Sequence, residues 1–351
     1  MYLKFFNLRV INFIKNIIKW KTHNYRISLK KEINESIRIN NFLKKNKNET
    51  VLIVHDLIAS PPTFGDFIQN IMLFKYFEVL NYNVEFIVID GVSREDWQHL
   101  NKKQIKNLLN NKKEIFLKLT ENSLNYKEIN WSQFSDLYLN KKKYFIAFKK
   151  RIIQRKSIYN LSGNLLNILI SNLNNDLINN FLTKNNTKYN YLIPLPKSNY
   201  ITWHIRYNYL WATDRNINEF KFLEIYNTLS KHFLNKKIMI VSDDIGVDTV
   251  KKWSLKHKID LLFSQDYSKT FTGNSELILS SDFYFQYRGG GIGMIPVYSH
   301  VPYLIIDPMA NEKMWSKNKM TSWSNNFQIR YEFTDYPILF LNKYLKSTKI
   351  E

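Results

Sequence analysis

Three groups of polar residues in the second half of the sequence each follow an apolar, strand-like run. They are His204 with Arg206, the Ser-Asp-Asp run 242–244, and the glycine-rich run 286–293. Ligands of parallel α/β sheets bind outside the carboxyl ends of the strands. We therefore expect the three groups to meet at one edge of a sheet and to bind one ligand there.

Arg206 is the candidate for binding a charged group. It lies two positions after His204 in an extended run, so the two side chains point to the same side. A guanidinium binds a diphosphate through paired hydrogen bonds, and it stabilises a leaving diphosphate without a metal ion. The alternative is a structural salt bridge with an acidic residue such as Asp214.

Ser242, Asp243 and Asp244 directly follow the run 237–241. A carboxylate at a strand end accepts hydrogen bonds from the base or ribose of a nucleotide. Two alternatives remain for the acidic pair. They could bind a metal ion, although no cluster of further His or Asp ligands accompanies them, and Asp244 could cap the helix that follows.

The run from Gln286 through Arg288 to Gly289, Gly290 and Gly291 is rich in glycine, and four of the nine glycines of the chain lie between positions 289 and 293. Glycine lets the backbone approach a ligand closely, and backbone N–H groups at the next helix suit a phosphate. The run lacks the Gly-Lys-Ser/Thr of a Walker A motif and the spacing of the dinucleotide fingerprint. The alternative is a tight structural turn.

In the first half, His55, Asp56 and Asp66 flank a loop that contains proline and glycine after a strand-like run. We expect Asp56 or Asp66 to serve as the general base for an acceptor hydroxyl. A helix cap or a structural hydrogen bond is the alternative for each of them.

Hydrophobic periodicity predicts the elements that position these groups. Strand, helix and strand are predicted at 51–54, 67–80 and 83–90, which is a βαβ unit. Residues 100–186 read as mostly helical. In the second half, strands are predicted at 200–206, 237–241, 259–263, 282–286 and 303–307, with helices at 218–233, 247–256, 275–281 and 337–345.

With 351 residues, the chain is long enough for two domains. The pattern predicts an α/β fold of two Rossmann-like domains. We assign a basic amphipathic N-terminal helix to 1–31, a first Rossmann-like domain with a helical insertion to 32–195, a second Rossmann-like domain with the three polar groups to 196–336, and a closing helix to 337–351.

Composition limits the possible functions. The chain has no cysteine, which excludes disulfides, thiolate zinc sites and a cysteine nucleophile. Its net charge of +21 favours anionic partners, but an A+T-rich coding sequence would also enrich lysine. The lysines are scattered, so we expect no nucleic-acid partner. The basic apolar segment 1–31 predicts contact with an anionic membrane surface, or alternatively packing on the protein's own core.

No run of about 20 apolar residues predicts a membrane span. The N-terminus lacks the form of a signal peptide, because Arg9 and Lys15 interrupt its apolar run. We therefore expect a cytoplasmic protein, peripheral at the inner face of the plasma membrane.

The order His-Ile-Arg at 204–206, Val-Ser-Asp-Asp at 241–244 and Ser-Ser at 280–281 before a glycine-rich segment resembles the GT-B fucosyltransferase-like superfamily. The Gln286, Arg288 and triple-glycine form also resembles bacterial surface-polysaccharide glycosyltransferases. The resemblance implies a GT-B fold, with two Rossmann-like domains facing a cleft. It also implies inverting, metal-independent transfer from a nucleotide sugar, usually GDP-fucose, with no cofactor.

Carried over to this sequence, the resemblance implies that Arg206 contacts the donor diphosphate and that Asp243 or Asp244 binds the nucleotide. The loop 286–291 would close around the phosphates or the sugar. We therefore expect a glycosyltransferase that acts on a glycan or lipid-linked acceptor in bacterial surface polysaccharide synthesis. The alternatives are an epimerase or sialyltransferase-like enzyme that uses a nucleotide sugar, and a basic nucleic-acid-binding protein.

Overall fold

A computed structural model gives the architecture of the chain, which divides into two compact units, Met1–Leu182 and Thr183–Glu351. The structure describes residues 50–57, 64–90, 101–121, 123–139, 145–148, 158–160, 169–170, 173–181, 193–207, 216–288, 290–306, 330–332 and 337–347, with a few isolated positions. The predicted basic helix at 1–31 lies outside these residues, as do Asp214 and Gly289.

The first unit contains a parallel five-stranded sheet in the order β3-β2-β1-β4-β5. Its strands are β1 (Val51–Asp56), β2 (Val84–Asp90), β3 (Tyr126–Asn130), β4 (Phe145–Phe148) and β5 (Ile158–Asn160). Its helices are α1 (Phe64–Val79), α2 (Lys102–Leu119), the single turn α3 (Trp131–Phe134) continued by a π-helical turn (Ser135–Leu139), and α4 (Asn175–Phe181).

Aromatic side chains from α1, α2 and β2 fill the core beside this sheet. The ring of Phe86 on β2 packs against Phe67 and Phe74 of α1 and against Phe116 of α2, with centroids 4.8 to 6.1 Å apart. All six residues of β1 are buried, as expected for the central strand of a parallel sheet. The predicted βαβ unit at 51–90 is confirmed.

Most of the described residues in 100–186 are helical, as predicted, but the pattern missed the strands β3, β4 and β5 that lie among these helices. Tyr126–Asn130 is an edge strand whose five residues are all exposed or half-buried. Such a strand lacks the apolar run that marks a buried one. The strands β4 and β5 have only four and three residues, too few to establish a period.

The second unit contains a parallel six-stranded sheet in the order β11-β10-β9-β6-β7-β8. Its strands are β6 (Tyr200–His204), β7 (Lys237–Val241), β8 (Leu262–Phe263), β9 (Tyr284–Tyr287), β10 (Tyr303–Ile306) and β11 (Arg330–Glu332). Its helices are α5 (Glu219–His232), α6 (Asp244–His257), α7 (Phe271–Leu279), α8 (Met294–Val297) and α9 (Pro337–Ser347), with 3-10 turns at Ser264–Asp266 and Gly291–Gly293.

The core of this unit packs around Trp203 of β6. Its ring stacks on Phe222 of α5 at 5.0 Å and lies 6.0 Å from the ring of Phe285 on β9. The five strands and four helices predicted for this half are all present, with ends shifted by a few residues. The short strand β11 was not predicted.

Strand order defines a switch point in each sheet. From β6 the chain adds β7 and β8 on one side, and then returns to add β9, β10 and β11 on the other side. The crevice between two such diverging strands, at their carboxyl ends, is where doubly wound α/β sheets bind ligands. In the second unit this point lies between β6 and β9, and in the first unit it lies between β1 and β4.

No helix in the described part of the chain is long and apolar enough to cross a membrane.

Candidate functional site

The switch point of the second unit brings together the predicted polar groups. His204, the last residue of β6, is in register with Gln286 of β9 on one side and with Val241 of β7 on the other. Arg206 follows β6, and the acidic pair begins two positions after Val241. Because all three strands are parallel, their carboxyl ends meet at the same edge of the sheet.

His204 is the buried centre of this edge, with 9 % of its surface exposed. The pKa of the imidazole is lowered to about 4, because burial lowers it strongly, an interaction with Gln286 raises it by less, and the nearby charge of Arg206 lowers it. The ring is therefore neutral at pH 7. Its Nδ1 atom is buried and has no hydrogen-bond partner among the described residues.

Gln286 is fixed in orientation by two hydrogen bonds. Its Nε2 donates to the carbonyl oxygen of Arg288 at 2.8 Å, and its Oε1 accepts from the hydroxyl of Tyr284 at 2.5 Å. A carbonyl oxygen can only accept, so the amide cannot be turned around without placing two acceptors together. Gln286 is 1 % exposed and lies opposite His204 on the neighbouring strand.

Two glycines make room for these side chains. A Cβ atom on Gly290 would lie 2.3 Å from Cε1 of His204, and one on Gly293 would lie 2.4 Å from Oε1 of Gln286. The φ angle of Gly290 is −166°, which is extended backbone that any residue adopts. Glycine is therefore required at this position by close packing on the imidazole and not by backbone conformation.

Ser242 and Asp243 are both engaged by the local backbone. The Ser242 hydroxyl donates to the carbonyl oxygen of Ile205 at 2.5 Å and so ties the ends of β6 and β7 together. Asp243 caps α6 by accepting from the backbone N–H of Gly246 at 2.8 Å. Burial raises the pKa of the Asp243 carboxyl, and so does Asp244, whereas the Gly246 N–H, Arg206 and Ser242 lower it.

The alternative in which Asp244 caps α6 is wrong, because Asp243 is the N-cap and Asp244 is the first helical residue. The side chain of Asp244 is exposed and accepts a hydrogen bond from Gln265. The cap falls one residue earlier because Asp243 has the extended φ and ψ angles of an N-cap, −70° and 173°.

The two arginines at this edge are anchored differently. Arg206 is half-buried, and its charge acts on both His204 and Asp243. Arg288 donates from one terminal nitrogen to the carbonyl oxygen of Asn216 at 3.2 Å, and its guanidinium lies 5.3 Å from the ring centre of Tyr287. The backbone of Arg288 is left-handed, with φ 66°, which turns the chain from β9 into the glycine run.

The Ser-Ser pair of the resemblance lies elsewhere. Ser280 is the C-cap of α7, and its hydroxyl donates to the carbonyl oxygen of Glu276. The hydroxyl of Ser281 bonds to Ile278 and lies 3.0 Å from that of Thr202. Both serines precede β9, so they do not belong to the carboxyl edge, and they hold α7 against the sheet.

In the first unit, His55 and Asp56 end β1 beside its switch point. The Nδ1 atom of His55 accepts from the side chain of Asn70 at 2.9 Å, and the Phe67 ring packs edge-on at 5.0 Å. Asp56 is 2 % exposed. Asp66 lies in the first turn of α1 and is half-buried.

Sequence reasoning missed Lys112 on α2, which is fully buried. Its ammonium lies 5.0 Å from the ring centre of Phe64 and 4.4 Å from that of Phe67. Burial lowers its pKa to about 7. The segment is rich in lysine, but Lys112 shares the apolar face of the helix with Leu108 and Ile115. This position could have predicted its burial from the sequence.

The arrangement in the second unit has the components of an anion and polyol site. It combines the half-buried cation of Arg206, a neutral imidazole, and the backbone of the glycine run at the switch point of a parallel sheet. Among the described residues, no three His, Asp or Glu side chains are grouped so that they could hold a metal ion.

No family model matches the sequence, and no curated protein matches it. Among solved structures, a glycosyl transferase family 9 protein from Veillonella parvula is similar at 8 % identity and a TM-score of 0.48, over 86 % of this chain and 90 % of that one. The UDP-GlcNAc 2-epimerase of Methanocaldococcus jannaschii has 10 % identity and a TM-score of 0.33, over 86 % and 94 %. The lipopolysaccharide outer core galactosyltransferase WaaB has 11 % identity and 0.31, over 85 % and 90 %. Likeness at these scores assigns no family.

Proposed function

We propose that the chain is a glycosyltransferase that binds a nucleotide-sugar donor at the carboxyl edge of the second sheet. The observation that carries this proposal is the convergence of His204, Arg206 and Gly290 at the switch point between β6 and β9. A cation, a neutral imidazole and a closely approaching backbone suit a ligand that joins a diphosphate to a sugar.

Each residue has a role in the proposed site. Arg206 binds the diphosphate, and Asp244 accepts a hydrogen bond from the nucleotide, because its carboxylate is exposed and Asp243 already caps α6. The backbone from Arg288 to Gly291 closes around the phosphates or the sugar.

In the proposed reaction, an acceptor hydroxyl oxygen forms a bond to the anomeric carbon while the bond from that carbon to the phosphate oxygen breaks. The electron pair of the broken bond stays on the nucleoside diphosphate, whose new charge Arg206 stabilises. The acceptor proton goes to a carboxylate. Asp66 is the better candidate for this base, because it is half-buried whereas Asp56 is 2 % exposed.

The finer features of the proposal follow from the resemblance in the sequence. The donor is GDP-fucose, transfer is inverting and needs no metal ion, and the acceptor is a glycan or a lipid-linked sugar of bacterial surface polysaccharide synthesis. We propose that residues 32–195 bind the acceptor. We also propose that segment 1–31 attaches the enzyme to the inner face of the plasma membrane.

A thermal-shift screen tests the donor site. Wild type, Arg206→Ala and Lys236→Ala are each melted with GDP, UDP, CMP, ADP and their sugars, with and without EDTA. Lys236 is the matched control, because it precedes β7 at the opposite edge of the same sheet, where it pairs with Asp282 at 3.3 Å. A ligand at about 100 times its dissociation constant stabilises a protein by about 2.7 kcal/mol.

We expect one nucleotide to stabilise wild type and Lys236→Ala but not Arg206→Ala, with or without EDTA. Stabilisation that survives in Arg206→Ala, or is absent for every nucleotide, would contradict the proposal. Incubation with the bound nucleotide sugar alone separates the alternative enzyme class, because an epimerase changes the sugar without an acceptor. Binding to nucleic acid that falls steeply with salt would favour the nucleic-acid-binding alternative.

Deletion of residues 1–31 tests the membrane proposal. The shortened chain should sediment less with anionic phospholipid vesicles and keep its nucleotide-induced thermal shift. Equal sedimentation of both chains would exclude a docking role for the segment.

A further inference from the structure

Arg288 has a backbone conformation that does not suit its residue type. Among the described residues, four that are not glycine have a left-handed φ between 54° and 66°, namely Asn81, Glu121, Lys258 and Arg288. The first three follow the ends of α1, α2 and α6, where a left-handed residue commonly closes a helix. Arg288 instead follows the strand β9, and three glycines come directly after it. Glycine would adopt this conformation with less strain, so we look to the side chain for the reason that arginine stands here.

The polar groups of Arg288 connect three parts of the carboxyl edge. Its backbone N–H donates to the carbonyl oxygen of Ile306 on β10 at 2.7 Å, and its carbonyl oxygen accepts from Gln286 at 2.8 Å. One terminal nitrogen donates to the carbonyl oxygen of Asn216 at 3.2 Å, while the guanidinium lies over the ring of Tyr287. A planar guanidinium can donate from its edge and cover a ring with its face, whereas an ammonium has no such face.

The carbonyl of Asn216 belongs to the segment that leads into α5. Asn216 lies two positions before Asn218, the N-cap of that helix. At the other end of the connection from β6 to α5, the carbonyl of Ile205 accepts from Ser242. Arg206 follows Ile205 directly. Side chains from β9 and from the end of β7 therefore hold both ends of the connection on which Arg206 lies.

The proposed donor contacts two separate segments, the start of this connection and the glycine run. A ligand that bridges two segments binds more tightly when their relative position is fixed before it arrives. We infer that Arg288 is a positioning residue, whose guanidinium holds the start of α5 to the end of β9 and so fixes the glycine run relative to the segment that carries Arg206. This inference rests on the proposed function.

The test compares wild type with Arg288→Gly, Arg288→Lys and Lys258→Gly, all as the full chain. Arg288→Gly removes the side chain and suits the left-handed backbone, which guards against a folding defect. Arg288→Lys keeps the positive charge without the planar group. Lys258→Gly is the matched control, because it makes the same replacement at a left-handed residue, at the C-cap of α6 and away from the carboxyl edge.

The first measurement needs no ligand. Hydrogen exchange of the peptide 216–222, read by mass spectrometry, reports opening of the first turn of α5. Loss of one neutral hydrogen bond changes an equilibrium by about threefold to tenfold. We expect exchange to be faster by that factor in Arg288→Gly and unchanged in Lys258→Gly. Equal exchange in wild type and Arg288→Gly would overturn the inference, whatever the protein binds.

The second measurement is calorimetric titration of the same proteins, and of Arg206→Ala, with GDP and GDP-fucose. We expect Arg288→Gly to bind about threefold to tenfold more weakly than wild type and Lys258→Gly to bind equally well. The affinity of Arg288→Lys should fall to the extent that its exchange at 216–222 rises.

Three outcomes would contradict this expectation. Arg288→Lys with fast exchange and wild-type affinity would assign the effect to charge, and so overturn a positioning role. Binding that is lost in Arg206→Ala but unchanged in Arg288→Gly overturns this inference alone. A wild type that binds neither ligand overturns GDP-fucose as the donor and this inference with it.

Discussion

Each unit has a buried histidine near the carboxyl end of the first strand of its sheet, His55 on β1 and His204 on β6. The two strands occupy equivalent places beside a switch point. His55 is held by the Asn70 side chain and packed against the Phe67 ring. His204 packs instead against the backbone of Gly290. The same topology therefore surrounds one histidine with side chains and the other with the backbone of a glycine run.

The chain segments that pack against the two histidines cause this difference. In the first unit, α1 begins with Phe64 and Phe67, whose rings lie beside Lys112. In the second unit, the chain after β9 is glycine-rich and brings only backbone to the imidazole. Bulky side chains pack beside His55, whereas glycine backbone packs on His204. Four predictions test this contrast, beginning with the largest effect.

Replacing Lys112 with Met should stabilise the protein at pH 7, because burial holds the pKa of the ammonium at about 7 instead of its usual 10.5. The unfolded state binds the extra proton between pH 7 and 10.5, so wild-type stability rises with pH through that window, by about 5 kcal/mol in total. Urea unfolding at pH 7 to 10 should show this rise in wild type and in the exposed control Lys113→Met. A rise of equal size in Lys112→Met would refute the prediction.

The pKa of His204 predicts a loss of stability at acidic pH. Its folded value of about 4 lies below the ordinary 6.5, so the unfolded state binds the proton first. The stability that neutral His204 contributes is complete above pH 6.5 and is lost as the pH falls toward 4, by about 3 kcal/mol. When the urea midpoint is plotted against pH from 4 to 7, it should rise less steeply in His204→Leu than in wild type. An unchanged slope would mean that another group is responsible.

Replacing the amide side chain beside each histidine, Asn70 for His55 and Gln286 for His204, tests which histidine supports ligand binding and which supports only the fold. Asn70→Leu and Gln286→Leu each leave buried polar atoms unsatisfied, at a cost of about 1–3 kcal/mol of unfolding free energy. Only Gln286→Leu should also weaken nucleotide binding in the thermal-shift screen, because it releases His204 and the carbonyl of Arg288. Equal loss of binding in both variants would remove the functional contrast between the two histidines.

The smallest effect is expected at Ser242, whose hydroxyl bonds to the backbone of Ile205. Ser242→Ala should lower the unfolding free energy by about 0.5–1.5 kcal/mol and leave nucleotide affinity unchanged. The sequence pattern assigned this serine to the donor site. A tenfold loss of affinity at unchanged stability would restore that assignment.

The second unit was more predictable than the first for a physical reason. Its strands β6, β7, β9 and β10 are buried apolar runs bounded by polar residues, and such runs are visible without knowledge of tertiary contacts. In the first unit β3 is half polar at a sheet edge, and it becomes a strand by pairing with β2. That pairing joins residues distant in sequence, and local pattern does not contain it.

The candidate site shows the same limit at the level of single side chains. The edge on which His204, Arg206 and Gln286 lie followed from strand ends alone. The use of Ser242, Asp243 and Gln286 for internal hydrogen bonds depends on distances that only the folded chain defines. Lys112 was overlooked because burial of a lysine contradicts its usual preference for solvent.

The switch point also has a consequence for how the protein is made. The central pairing of β6 with β9 joins segments far apart in the chain, as in the contact between Thr202 and Ser281, which are 79 positions apart. Contacts this distant form slowly, because a long loop must close before they contribute. During synthesis, β6, β7 and β8 leave the ribosome well before β9. The carboxyl edge around His204 is therefore completed only after β9 and the glycine run have been translated, and no shorter nascent chain should acquire it.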